Sequence, residues 1–228
     1  MGLSEQINLA VNDGGLSYEG SVGYHRFITE LFTHGTLATL RFPADWPASS
    51  IVDHSLQWNK VARMAETADL LQKPNGRNPQ FGDHDAGRFF KFHRPLTPTD
   101  EEDTLDNSHL QLLIGGIKGE STNRIEQLNP EFVLPTLGIH EDKLSAVRNA
   151  LNSKNDRTTK NPLQLGAWVA QAGRLWVAVR TFNADTPAPT SHLLDDALTV
   201  EFCVDGQDVL VDPGTGVYTA DPAIRNNL

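Results

Sequence analysis

At 228 residues, with 39% hydrophobic and 21% charged residues, the chain has a globular composition and is long enough to bury a core. Its formal charge of −10 argues against general nucleic-acid binding, which needs a basic footprint. No run approaches the ~18 apolar residues that would suggest membrane insertion, and one cysteine, Cys203, excludes an internal disulfide.

The N-terminus, "MGLSEQINLAVNDGG", lacks a basic stretch followed by an apolar one, so no signal peptide is visible. A helix is predicted over 22–40, where Tyr24, Phe27, Ile28 and Leu31 fall on one stripe. Tyr24 near its first turn is either a core tyrosine with a tied hydroxyl or a phenol held at a pocket mouth for proton transfer. A second helix is predicted over 55–73. Val61, Met64, Ala65, Ala68 and Leu71 form its apolar face, and Pro74-Asn75-Gly76 ends it. Shorter helices are predicted over 107–117 and 141–152.

Between these lies "QFGDHDAGRFF" (80–90), carrying Asp83, His84, Asp85 and Arg88. It reads either as an Asp/Gly-rich turn whose carboxylates bind backbone N–H groups or as one part of a metal or substrate site. Arg88 has the planar guanidinium that clamps a carboxylate in bidentate fashion.

A polar linker at 152–162 separates the helices from two predicted hairpins. The first turns at Ala172-Gly173 and the second at Asp205-Gly206, the latter a type I′ signal. Counting out from the second turn pairs Phe202 with Val209, pairs Val200 with Val211 and sets Thr199 opposite Asp212. That register brings Asp212 to the end of the sheet where "SHLLDD" carries His192, Asp195 and Asp196. His192 enters from a loop and is either merely exposed or a site residue on a rigid scaffold. The sheet has few strands and the helical half begins abruptly, so the sequence reads as a piece of a longer protein.

Taken in order, "DGGLSYEGSVGYHRFITELF", "KPNGRNPQFGDHDAGRFF" and "SHLLDDALTVEFCVDGQDVLVDPGTGVY" resemble the heparinase II/III-like family of polysaccharide lyases. The resemblance implies an α+β fold: an incomplete (α/α) toroid (1–155), then an antiparallel, β-sandwich-like sheet domain (156–228), truncated at both ends. It implies cleavage of an acidic, uronic-acid-containing polysaccharide by β-elimination, and a periplasmic or cell-envelope location. By motif, Tyr24 matches the family's catalytic tyrosine, Glu19 its glutamate and His192 the first histidine of a His-x-His-x-Asp element whose aspartate is Asp196. Arg88, His25 and His84 are the candidate substrate-binding residues. The family's zinc would use Asp212, but Leu194 stands where the second histidine ligand belongs. Two other readings remain: a non-catalytic carbohydrate-binding protein of the same fold, and a glycoside hydrolase using Glu19 with Asp83 or Asp85. A polyanionic substrate also needs local positive charge, for which Arg88, Arg26 and Arg180 are the candidates.

Overall fold

The computed structural model describes residues 2–41, 54–85, 87, 89, 105–107, 109–110, 113–115, 166–181, 192, 194–216 and 221–225. The predicted helix over 141–152 and the linker over 152–162 lie outside these residues, as does Arg88. Three helices come first: α1 (Leu3–Ala10), α2 (Val22–Thr39) and α3 (His54–Leu71). Residues 109–110 and 113–115 are also helical, within the span predicted for 107–117. Four strands follow: β1 (Ala167–Ala172), β2 (Leu175–Arg180), β3 (Val200–Val204) and β4 (Gln207–Leu210). They form one antiparallel sheet in the order β1-β2-β3-β4. The described residues are thus an α+β arrangement of helices and a four-stranded antiparallel sheet.

Helix α3 buries the predicted face, with Val61, Met64, Ala65, Ala68 and Leu71 each at 6% exposure or less. It ends where Asn75 Oδ1 accepts from Arg77 N and Gly76 takes a left-handed φ of +88°. The stripe predicted for α2 is only partly right. Ile28 is buried, but Leu31 is exposed and Tyr24 only half-buried. The buried face instead carries His25, Arg26, Thr29, Glu30, Thr33 and Thr36. Burying those threonines is tolerated because Thr29, Thr33 and Thr36 each donate their hydroxyl to the carbonyl four residues back.

Two large apolar clusters divide the core. One joins α1, α2 and α3 through Ile7, Ile28, Phe32, Trp58, Val61 and Met64. The other packs the sheet, through Ala167, Trp176, Ala178 and Cys203, onto Leu16, Val22, Leu71 and Phe81. The sheet therefore rests on the start of α2, the end of α3 and the segment that follows α3. A buried ion cluster reinforces that contact. Lys73 Nζ lies 2.9 Å from Glu201 Oε2 and 2.8 Å from Asp208 Oδ1, and Gln80 N donates to Glu201 Oε1.

Both predicted hairpins form, the first with its turn one residue later than predicted, at Gly173-Arg174, because Ala172 still pairs with Leu175. Asp205 (φ +50°) and Gly206 (φ +78°) are both left-handed, as a type I′ turn requires. The predicted register of the second hairpin is corrected. A bulge between Phe202 and Cys203 sets Phe202 opposite Leu210 rather than Val209. Leu210 is thereby shifted to the outer face, where it is 54% exposed.

Candidate functional site

The site is assembled where three distant segments meet. Ser21 caps α2, its hydroxyl accepting from Tyr24 N and donating to the carbonyl of Asp83. Val22 N donates to Phe81 O at 2.9 Å, and Asp83 N donates to His192 O, also at 2.9 Å. Residues 81–83 are therefore a strap between the start of α2 and the loop that carries His192. The strap runs close to both because Gly82 has no side chain. A Cβ there would stand 2.8 Å from His192 O and from Ser21 Cα, and its φ of +76° suits glycine alone.

This backbone brings three of the predicted site residues together. The Tyr24 and His192 rings stack, with centroids 3.6 Å apart and planes 14° from parallel. His192 Nε2 lies 3.6 Å from Glu19 Oε2, and His192 Nδ1 lies 3.7 Å from Asp83 Oδ2. Burial raises the Glu19 carboxyl above its usual range, against the opposing pull of His192 and Tyr18. Burial also raises Asp83, with His192 opposing and the charges of Asp85 and Asp196 adding to the rise. An imidazole between two carboxylates, stacked on a phenol, can take up and release protons and can hydrogen-bond an anionic group.

The other candidates lie elsewhere. His84 sits beside the site, its ring against Gly23 and its N–H donating to Thr215 Oγ1 at 2.8 Å. With Gly23, Arg26, Asn78, Gln80 and Phe81 it lines a small recess. His25 does not face the cleft. It is 1% exposed, accepts a hydrogen bond from Ser17 N on Nδ1 and reaches Met64 O with Nε2. Burial lowers its pKa to about 4, so it is a neutral core residue rather than a ligand for an anion. Arg26 and Arg180 are likewise withdrawn as cleft cations. Arg26 pairs with Glu30 at 3.6 Å and donates to Gly87 O. Arg180 pairs with Asp196 at 3.2 Å and donates to Gly20 O. Both arginines are buried, their charge directed inward.

Asp196 is a scaffold rather than a cleft group: its other oxygen accepts from Gly82 N at 2.6 Å, while Asp195 is exposed. Asp212 is buried. Its carboxylate accepts from Gly214 N at 2.7 Å and from Thr199, and burial with the nearby Asp196 charge raises its pKa. Asp212 is thus already hydrogen-bonded, and Leu194 offers no donor. No group of three His, Cys, Asp or Glu able to hold a metal occurs among the described residues. The residues present do not fit a zinc site. Asp212 instead lies close enough to Asp196 to feel its charge, and Asp196 holds Gly82 N, next to the Asp83 whose N–H donates to His192 O.

Asp83's contact with His192 and the Lys73 cluster are the features that sequence reasoning missed. The alternation of Asp83, His84 and Asp85 was the available signal for the first. Nothing near Lys73 in sequence signalled the second.

No protein-family model and no curated protein matches the chain. Among solved structures, its fold resembles heparan sulfate lyase HepC from Pedobacter heparinus and a mutant of that enzyme. Each is 16% identical with a TM-score of 0.53, over 99% of this chain and 29% of the other. This is a distant likeness of fold, and the chain spans under a third of the length of those structures. Among the described residues, no helix is long and apolar enough to cross a membrane.

Proposed function

We propose that this chain belongs to a polysaccharide lyase of the heparinase II/III-like kind, acting on an acidic, uronate-containing polysaccharide by β-elimination. The observation that carries the reading is the meeting of Tyr24, Glu19 and His192 at one place, from a helix start, a turn and a loop. In this reading residues 1–155 belong to an incomplete (α/α) toroid and 156–228 to a sheet domain, and the distant likeness to a lyase fold supports the pairing.

The chemistry needs three things. The uronate carboxylate must be neutralised or hydrogen-bonded so that C5–H becomes acidic. A base must then take that proton, its electron pair forming the C4=C5 double bond as the C4–O bond breaks. An acid must give a proton to the departing oxygen. In our reading Tyr24 transfers the proton, a step worth roughly 10²–10⁴ in rate. His192 meets the carboxylate beside it, with His84 and Arg88 as further donors, and Glu19 orients the reacting groups. Stabilising the enolate-like charge supplies the remaining rate enhancement.

The hydrolase reading is weaker because a water and a scissile bond must fit between its two carboxylates. Here the His192 imidazole lies between Glu19 and Asp83. The test is incubation with alginate, a glycosaminoglycan and bacterial surface polysaccharides while following ultraviolet absorbance. Unsaturated uronate ends support the lyase; saturated reducing ends overturn it.

A further inference from the structure

We infer that Asp83 is a positioning residue that fixes the orientation and tautomer of His192, leaving Nε2, on the Glu19 side, as the working nitrogen. The inference rests on the lyase reading only for what the nitrogen works on.

Among the groups that face the His192 ring are Tyr24 on its face, Glu19 at Nε2 and Asp83 at Nδ1. The two carboxylates stand at almost the same distance but are not equivalent. Asp83 holds His192 twice, by its backbone N–H to His192 O at 2.9 Å and by its carboxylate toward Nδ1 at 3.7 Å. Its own place is fixed in turn, since its carbonyl accepts from Ser21 Oγ, the cap of the helix that carries Tyr24. One residue thus ties the loop path of His192, the pose of its ring and the start of α2 together. Glu19 has no such backbone tie to His192, and its Oε2 makes no hydrogen bond among the described residues. A neutral histidine whose Nδ1 faces a carboxylate held in place favours the proton on that nitrogen and presents Nε2 as its acceptor, because the partner of one nitrogen decides which carries the proton.

The test is Asp83→Asn, which keeps the size and both backbone contacts, removes the charge and puts an N–H donor where one carboxylate oxygen stood. In ¹⁵N-histidine-labelled protein, under conditions where the imidazole is neutral, the wild-type ring should carry its proton on Nδ1, and in Asp83→Asn that preference should weaken or reverse. On the polysaccharide that the protein cleaves, kcat should fall about 10- to 100-fold with KM changed much less. An unchanged tautomer in the variant, or a wild-type ring protonated on Nε2, overturns the inference. The wild-type spectrum alone decides the matter if the variant does not fold. A tautomer shift in a protein that cleaves no uronate polymer upholds the positioning role and rejects the lyase reading, so the two failures are distinguishable.

Discussion

The Tyr24 and His192 rings stack at 3.6 Å, although 168 positions separate them in the chain. Tyr24 is half-buried and at the edge of the α2 core face rather than within it. A tyrosine held in this way can lose its hydroxyl without losing its packing. Tyr24→Phe should therefore unfold at nearly the wild-type denaturant midpoint while kcat drops at least ~10²-fold. Near-normal turnover by the folded variant would return Tyr24 to a packing role.

Gly82 sets how closely the strap approaches His192. In Gly82→Ala the new Cβ meets two backbone atoms at 2.8 Å, neither on a flexible side chain, and the φ of +76° adds strain. Gly173→Ala is the control, since its φ is +58° but nothing lies within 4 Å of its added Cβ. Both should lose about 1–3 kcal/mol from the left-handed conformation. Only Gly82→Ala should also displace His192 and lower turnover. Equal stability losses, with activity intact in both, would mean that the strap yields without moving the histidine.

Lys73 is the cation that holds Glu201 and Asp208 against the end of α3. It is 1% exposed and Glu201 is wholly buried, so removing the ammonium leaves a buried carboxylate without its counter-charge. Lys73→Met should cost about 3–5 kcal/mol in urea unfolding at neutral pH. Burial already raises the Glu201 carboxyl, so the variant should recover stability as pH falls and Glu201 takes up a proton. Lys73→Met/Glu201→Gln should lose less than the two single changes added together. Additive losses would show that the pair is not coupled.

The elements were largely legible in the sequence, because the α3 stripe and the Asp205-Gly206 turn are local signals. The register of β3 and β4 was not. The bulge leaves Glu201 and Cys203 turned inward and Leu210 outward, and the partner of the inward Glu201 is Lys73, 128 positions away. Tyr24, Glu19 and His192 were nameable from their motifs. Asp83 was named as a turn, metal-site or hydrolase candidate but not as the partner of His192, because an Asp in a Gly-rich turn has the same local pattern whether it binds backbone or a distant histidine. Arg26 and Arg180 were misplaced for a related reason. Sequence shows a cation but not its partner, and here Glu30 and Asp196 take the charge inward.

His25 gives the fold a dependence on pH of known sign. Burial lowers its pKa from 6.5 to about 4, so the folded state keeps it neutral while the unfolded chain protonates it. Its contribution is fully present above about pH 6.5 and is lost progressively as pH falls toward 4. The full loss is about 3 kcal/mol at ~1.4 kcal/mol per pKa unit. Glu30, whose pKa is lowered chiefly by His109 against its own burial, acts in the same direction at lower pH. Glu19, Asp83, Glu201 and Asp212 act in the opposite direction, because their raised pKa values favour the fold as they take up protons. The net curve therefore does not isolate His25, but a difference between two proteins does. His25→Gln keeps a donor for Met64 O and cannot titrate. Urea unfolding of both proteins from pH 7.5 down to 4.5 should show the wild type losing stability relative to the variant. A constant difference across that range would mean that His25 stays accessible to protons in the folded state, and its assignment to the neutral core would fail.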